Sequence, residues 1–226
     1  AVCQAAQRQS EMPLLFQNVE GCSHNVVTNI YGSRNRLCEL IGADNGLFCK
    51  RWTELVKEQS AQMLNKQKVE TEIEYEQVTL SDLPQITYQE RDAGPYITSG
   101  VFLANDPESG VPNLSFHRAM HVNDQELRIR LGTSHHLTKY QLSAEGQNQA
   151  LEVAILIGPP TPYVLAAAAA IPKSDSEVEL AAKIAQEPIP MRKCKFVNLE
   201  VPAATEYVIE GRIVPNLRRP EGPFGE

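Results

Sequence analysis

Positive charge, paired cysteines and long apolar runs are all scarce in this chain, and each scarcity removes a class of function. Its 21 lysines and arginines stand against 28 acids, a net charge of −7, so a surface for nucleic acid or anionic lipid is not expected. The five cysteines (Cys3, Cys22, Cys38, Cys49 and Cys194) are odd in number and lack CxxC spacing. That pattern excludes a disulfide framework and reads as reduced thiols of a cytoplasmic protein, with the zinc and catalytic-thiol readings set aside. No stretch approaches the ~20 apolar residues of a membrane span, and Val164–Ile171 is the most apolar run. A signal peptide and an initiator methionine are both missing, and residues 1–7 are patterned like the middle of a helix. The chain is therefore expected to be a portion of a longer protein.

What is present centres on residues 92–120, DAGPYITSGVFLANDPESGVPNLSFHRAM. Two apolar runs, 96–104 and 111–120, flank Asn105-Asp106-Pro107-Glu108-Ser109-Gly110, residue types whose backbone preferences make turns. This predicts a β-hairpin. The second run carries Asn113, Ser115, His117 and Arg118, too much polarity for an ordinary core strand. In a regular strand Asn113 and Arg118, five apart, point to opposite faces, so a bulge is needed if both serve one ligand.

Around the hairpin the pattern alternates α and β at the front, then turns mainly β. Residues 13–19 and 25–30 read as strands, the first of them buried; Ser33 precedes a short helix over 34–40, and 45–66 repeats at helical intervals. Residues 126–131 alternate, with Leu127, Ile129 and Leu131 on one face and Arg128 and Arg130 on the other. Gly132 ends that run, and Thr133 or Ser134 is the expected cap of the next helix. Residues 152–157 form a buried strand, Ser176 caps a helix to about 186, and 196–201 and 206–214 are two closing strands. Pattern alone supports an α+β fold with antiparallel pairs.

The hairpin signature and the closing Pro220-Glu221-Gly222-Pro223-Phe224-Gly225-Glu226 together resemble the two hallmarks of the UbiD-type decarboxylases, from residue 13 onward. The resemblance implies a split β-barrel flavin-binding domain over 71–226, preceded by a small α/β lobe over 1–70. It implies non-oxidative, reversible decarboxylation of an unsaturated or aromatic carboxylic acid with prenylated FMN. A flavin prenyltransferase would supply the cofactor, and a homo-oligomer would form through a further C-terminal part. A divalent metal, Mn²⁺ or Mg²⁺, is implied on Asn113, His136 and Glu177, with K⁺ as a further ion; His135 stays open as the alternative to His136. Oxygen donors with one imidazole suit such ions. On a helix begun at Ser176, Glu177 shares a face with Leu180, Ala181 and Ile184, so it points inward. The plainer reading of an acid there is complement to the helix dipole.

The same resemblance makes Arg118, Glu221 and Glu226 catalytic. Glu226 is expected to donate a proton to the carbon that loses CO₂, with Arg118 and Glu221 setting its protonation and the substrate's pose. The plainer reading is a charged surface tail. Phe116, His117, Arg118, Arg130, Leu131, Gly132, His135 and His136 fall where the family lines the cofactor; for Arg128 and Arg130 an ordinary half-buried strand is the alternative. Two rivals stand beside the decarboxylase: a split-barrel reductase using ordinary FMN, and a catalytically silent portion.

Overall fold

The computed structural model describes residues 11–20, 23–57 and 76–225. The expected helix at residues 1–10, the stretch 58–75 and the acid Glu226 lie outside the described residues. The chain divides into two compact units, Ala1–Glu58 with Gln77–Gln85, and Gln59–Glu76 with Ile86–Glu226.

In the smaller unit, β1 (Leu14–Phe16) pairs antiparallel with β2 (Val26–Thr28). The expectation of a buried first strand fails: Leu15 is 61% exposed and Val27 49%. Two paired strands have no second face to cover, so alternate side chains stay in solvent. Helix α1 (Arg34–Leu40) starts after Ser33 as expected, and α2 spans Phe48–Lys57. The helical pattern at 58–66 lies outside the described residues. Their buried contacts are Cys38, Ile41 and Leu55. At Leu80–Asp82 a single 3₁₀ turn is closed by a capping box between Thr79 and Asp82.

The larger unit carries the hairpin, and it is more broken than the sequence suggests. The first run splits into β3 (Tyr96–Ile97) and β4 (Val101–Asn105), and the second into β5 (Pro112–Phe116) and β6 (Ala119–Asn123). Strands β4 and β5 pair antiparallel from Val101↔Phe116 to Asn105↔Pro112. Strand β3 pairs with β6, which pairs in turn with β7 (Glu126–Ile129). The runs therefore serve two sheets and change sheet at Thr98–Gly100 and at His117–Arg118. That interruption removes the strict alternation between Asn113 and Arg118.

Strand β8 (Leu151–Ile157) sits beside β4, and β11 (Tyr207–Ile213) beside β8, giving a four-stranded antiparallel sheet β11-β8-β4-β5. Phe102, Ala104, Val153 and Ile155 face a core shared with Leu137, Tyr140 and Ala144 of α3 (His136–Gly146). Against β4 and β5 pack α4 (Thr161–Ala167) and α5 (Glu177–Ala185). A two-stranded ribbon, β9 (Met191–Lys193) with β10 (Glu200–Pro202), completes the unit. Strand β9 is missing from the sequence expectation, and the first closing strand begins at Glu200 because Phe196–Asn198 turn. Helix α3 is capped by His135 rather than Thr133 or Ser134, and the His135 side chain makes no capping bond. Thr138 instead donates to the Gly132 carbonyl at 2.6 Å.

The turn is built around Asp106. Its carboxylate accepts from the Glu108 amide and the Ser109 hydroxyl, and Lys173 lies 2.9 Å away. This buried acid is satisfied on every side, which is what lets a polar turn sit against the sheet.

Candidate active site

Strand β5 is an edge of its sheet, so the amides on its free side need partners from elsewhere. The start of α5 supplies them. Ser176 caps α5 by accepting from the Val178 and Glu179 amides, and its hydroxyl donates to the Pro112 carbonyl at 3.2 Å. One residue on, Glu177 turns inward as its helical phase predicts and is 3% exposed. Its Oε2 accepts from the Leu114 amide at 3.2 Å, and the Asn113 side chain also bonds the carboxylate. His136 Nδ1 lies 3.8 Å from Oε1. The structure thus brings together Asn113, Glu177 and His136, and of the adjacent pair it is His136, not the exposed His135, that faces the acid.

Burial holds the Glu177 carboxyl above the usual glutamate range, against the bonds from Leu114 and Asn113 that lower it. Burial, then Lys139, Lys173 and His135, push His136 down, so it offers a neutral ring nitrogen. A buried carboxylate beside an amide and a neutral imidazole is a hard-donor set of the kind a divalent cation completes.

The second cluster begins where β5 ends. Arg118 donates through Nε to Glu221 Oε1 at 2.9 Å and through Nη2 to Oε2 at 3.0 Å, a two-pronged pair with side chains 13% and 9% exposed. It is not a loose surface tail. The Phe224 ring lies under the guanidinium at 4.8 Å and against Tyr96 at 4.5 Å. Gly222, at φ +104°, adopts backbone that side chains resist, which lets the loop double back. Glu226 lies outside the described residues.

Sequence reasoning missed Asp92. Its Oδ1 accepts from the Gly225 amide at 2.7 Å, and its Oδ2 from the Tyr88 and Gln89 amides. Desolvation raises its pKa, yet those three amides prevail and hold it below the usual aspartate range. The Ala93 amide adds a bond to the Pro223 carbonyl at 2.7 Å. An Asp ahead of Ala-Gly-Pro is a turn signal that could have marked this anchor. The Arg218–Glu145 pair was missed too; it joins the closing segment to α3 at 2.7 and 2.9 Å.

Of the expected flavin contacts, His117 is buried; its Nδ1 donates to the Arg130 carbonyl at 3.3 Å, and its ring meets His135 at 5.0 Å. Phe116, Leu131 and Gly132 are half-buried, and Arg130 is exposed. Arg128 joins Glu126 and the Pro220 carbonyl, a structural use of that side chain. At Gly132 a Cβ would come within 3.3 Å of the His135 ring, which would have to give by a few tenths of an ångström. A cavity of about 500 Å³ lies elsewhere, lined by Leu103, Tyr163, Val178, Cys194 and Leu199, and none of the expected site residues borders it. Burial pushes the Cys194 thiol up to about 12, which removes it as a nucleophile. Among the described residues, no helix is long and apolar enough to cross a membrane.

Comparison with known proteins covers the same segments. Residues 58–226 match the model of the 3-octaprenyl-4-hydroxybenzoate carboxy-lyase Rift-related domain, and residues 1–56 that of the N-terminal domain of the same enzymes. The chain is 41% identical over 145 residues to an anhydromevalonate phosphate decarboxylase of Methanothermobacter thermautotrophicus, covering 64% of this chain and 34% of the relative. A phenolic acid decarboxylase of Sedimentibacter hydroxybenzoicus is 26% identical over 238 residues, covering 96% and 48%. Among solved structures, the UbiD-class enzyme HmfF of Pelotomaculum thermopropionicum in complex with FMN superimposes with a TM-score of 0.84 at 31% identity. That match covers 100% of this chain and 52% of the other. The chain spans about a third to a half of the length of these curated relatives.

Proposed function

The chain belongs to the UbiD family of carboxy-lyases, and we propose that it is the flavin-binding portion of an enzyme that decarboxylates an unsaturated or aromatic carboxylic acid, reversibly and without net oxidation. The observation that carries this reading is the two-pronged Arg118–Glu221 pair, held over Phe224 in a loop that leads directly into a second acid, Glu226. A decarboxylase needs a fixed cation to orient a carboxylate and an acid to return a proton to carbon. Arg118 supplies the first without titrating. Glu226 would supply the second, with Glu221 balancing the arginine so that the substrate carboxylate meets a cation of fixed orientation. Tyr96, whose phenol burial and then Glu221 raise, keeps its proton beside this pair.

Prenylated FMN, when bound, supplies the electron sink for the carbon that loses CO₂. Asn113, His136 and Glu177 would hold the Mn²⁺ or Mg²⁺ that neutralises its phosphate, with K⁺ as a further ion, and the buried, unneutralised Glu177 supports that fit. Exposed Arg130 adds positive charge for the same phosphate. Phe116, His117, Leu131 and Gly132 would line the ring system, and the two sheets would form the split barrel, with the domain boundary near residue 70. A flavin prenyltransferase would supply the cofactor in the cytoplasm, and the whole enzyme would assemble as a homo-oligomer.

The test is production of the protein together with a flavin prenyltransferase, followed by absorption and mass spectra and by CO₂ release from a panel of acids. One relative is named for anhydromevalonate phosphate and another for phenolic acid, so both kinds belong in the panel. Bound prenylated flavin with CO₂ release supports the proposal. Plain FMN with oxidation of a pyridine nucleotide would replace it by a reductase, and a protein that takes up no flavin by a silent portion.

A further inference from the structure

Between the two clusters lies a short relay that neither uses directly. The Ser115 hydroxyl has one proton and two acceptors within reach, Asn113 Oδ1 at 3.1 Å and His117 Nε2 at 3.0 Å. Both demands cannot be met at once. The other ring nitrogen decides between them. His117 Nδ1 faces the Arg130 carbonyl oxygen, which can only accept, so Nδ1 carries the proton. The ring is 4% exposed, edge-on to Phe102 at 5.3 Å and near His135. Burial, and then His135, push its pKa down to about 4. A neutral ring protonated on Nδ1 presents a bare lone pair at Nε2.

We infer that His117, acting through Ser115, is a positioning residue that turns the Asn113 amide so that its oxygen faces Glu177. If Ser115 donates to His117 Nε2, its own oxygen is left to accept, and the group beside it must be a donor. Asn113 must then present Nδ2 to Ser115, which carries Oδ1 round toward Glu177. The relay runs in one direction: Asn113 N–H to Ser115 oxygen, Ser115 O–H to His117 Nε2, His117 Nδ1–H to the Arg130 carbonyl. Its far end is an amide oxygen facing a buried carboxylate, which repels unless a cation lies between them.

Without a cation the amide makes the opposite choice. Nδ2 faces the Leu114 carbonyl at 3.5 Å and the Glu177 carboxylate, and Oδ1 takes the Ser115 proton. That arrangement leaves His117 Nε2 against a hydroxyl oxygen with no proton to give. The two arrangements differ by a half-turn of one amide and a rotation of the Ser115 hydroxyl, and a cation selects the one in which every polar atom of the relay is satisfied. Ser115 and His117 therefore favour cation binding without touching the ion, as hydrogen-bonded partners of metal ligands do. This rests on the reading of Asn113, His136 and Glu177 as ligands of a divalent cation.

The experiment titrates Mn²⁺ alone into the full chain, followed by calorimetry and by the electron spin resonance of the free ion. Wild type should bind, and Glu177→Gln should not. Ser115→Ala and His117→Phe should each weaken binding by about 10–100-fold, and Ser115→Thr, which keeps the hydroxyl, should restore it. Nitrogen NMR of the His117 ring, with Mg²⁺ in place of paramagnetic Mn²⁺, should show the proton on Nδ1 in both states. That measurement does not depend on any variant folding. Unchanged affinity in Ser115→Ala, or a ring protonated on Nε2, overturns the relay while leaving the ligand set intact. Wild type that fails to bind Mn²⁺ overturns the ligand set and the relay with it.

Discussion

The two polar clusters of the larger unit flank the His117–Arg118 break and are built on opposite logic. Around Arg118, charge is already matched: one guanidinium meets one carboxylate in both prongs, over an aromatic ring. Around Glu177 it is not. That carboxylate, more deeply buried, has an amide N–H, an asparagine and an imidazole that its surroundings keep neutral. A matched pair is rigid by itself and acts on whatever is placed against it. An unmatched buried acid costs free energy until something binds, so it is suited to recruiting an ion. Under the proposed function, the first cluster serves the chemistry and the second the holding.

The sharpest break of that contrast is on the chemical side. In the loaded enzyme, Glu226→Gln should keep flavin and metal yet lose turnover by about 10²–10⁴-fold, the cost of a missing general acid. Deuterium from D₂O should also cease to enter the product. A variant that turns over and exchanges normally would return the closing loop to a structural turn.

Arg118→Ala should have the next largest effect, this time on stability. Removing one partner of a largely buried ion pair strands the other, here Glu221, and costs about 3 kcal/mol. Urea denaturation of the chain without cofactor would read it. A midpoint close to wild type would mean that solvent reaches Glu221 and the pair is not self-contained.

Glu177→Gln should act in the opposite sense. Burial raises the Glu177 carboxyl above its value in the unfolded chain, so its contribution is favourable below the ordinary glutamate range. That contribution is lost as pH rises from there through the raised folded value. Glutamine mimics the protonated form at every pH. The metal-free variant should therefore melt slightly higher than wild type at neutral pH and equal it in acid. Melting curves across that range, with and without Mn²⁺, would check this; a variant that melts lower at neutral pH without metal would show that the carboxylate is already neutralised.

The smallest effect is expected at Asp92. Asp92→Ala releases the Gly225, Tyr88 and Gln89 amides while leaving Arg118–Glu221 in place. Hydrogen exchange at Gly225 should accelerate with little change in melting temperature. Because the Asp92 pKa is lowered on folding, its hold is present above the unfolded aspartate range and fades as pH falls through the folded value. Unaltered exchange at Gly225 would leave the loop anchored by Glu221 and by the Ala93–Pro223 and Arg128–Pro220 bonds.

Much of this molecule was legible from residue order because its determinants are local. The turn 105–110, the Ser176 cap with the inward phase of Glu177, and the buried strand expected at 152–157 each depend on neighbours within a few positions. What the sequence could not yield is where long runs break and which distant groups meet. The apolar run from Val111 to Met120 reads as one strand, yet it splits at His117 because its two halves pair in different sheets. The meeting of Arg118 with Glu221, 103 residues apart, follows from sheets, helices and a returning loop whose entropy of closure only the assembled core offsets. The choice of His136 over His135 also belongs to the fold. His135 is the extended N-cap and His136 the first helical residue, so the two side chains leave the backbone in different directions, and only the helix's packing decides which one faces the acid. Sequence by itself determined the residue types and the local devices; tertiary structure decided which of them share a site, because burial and charge matching are properties of neighbours in space.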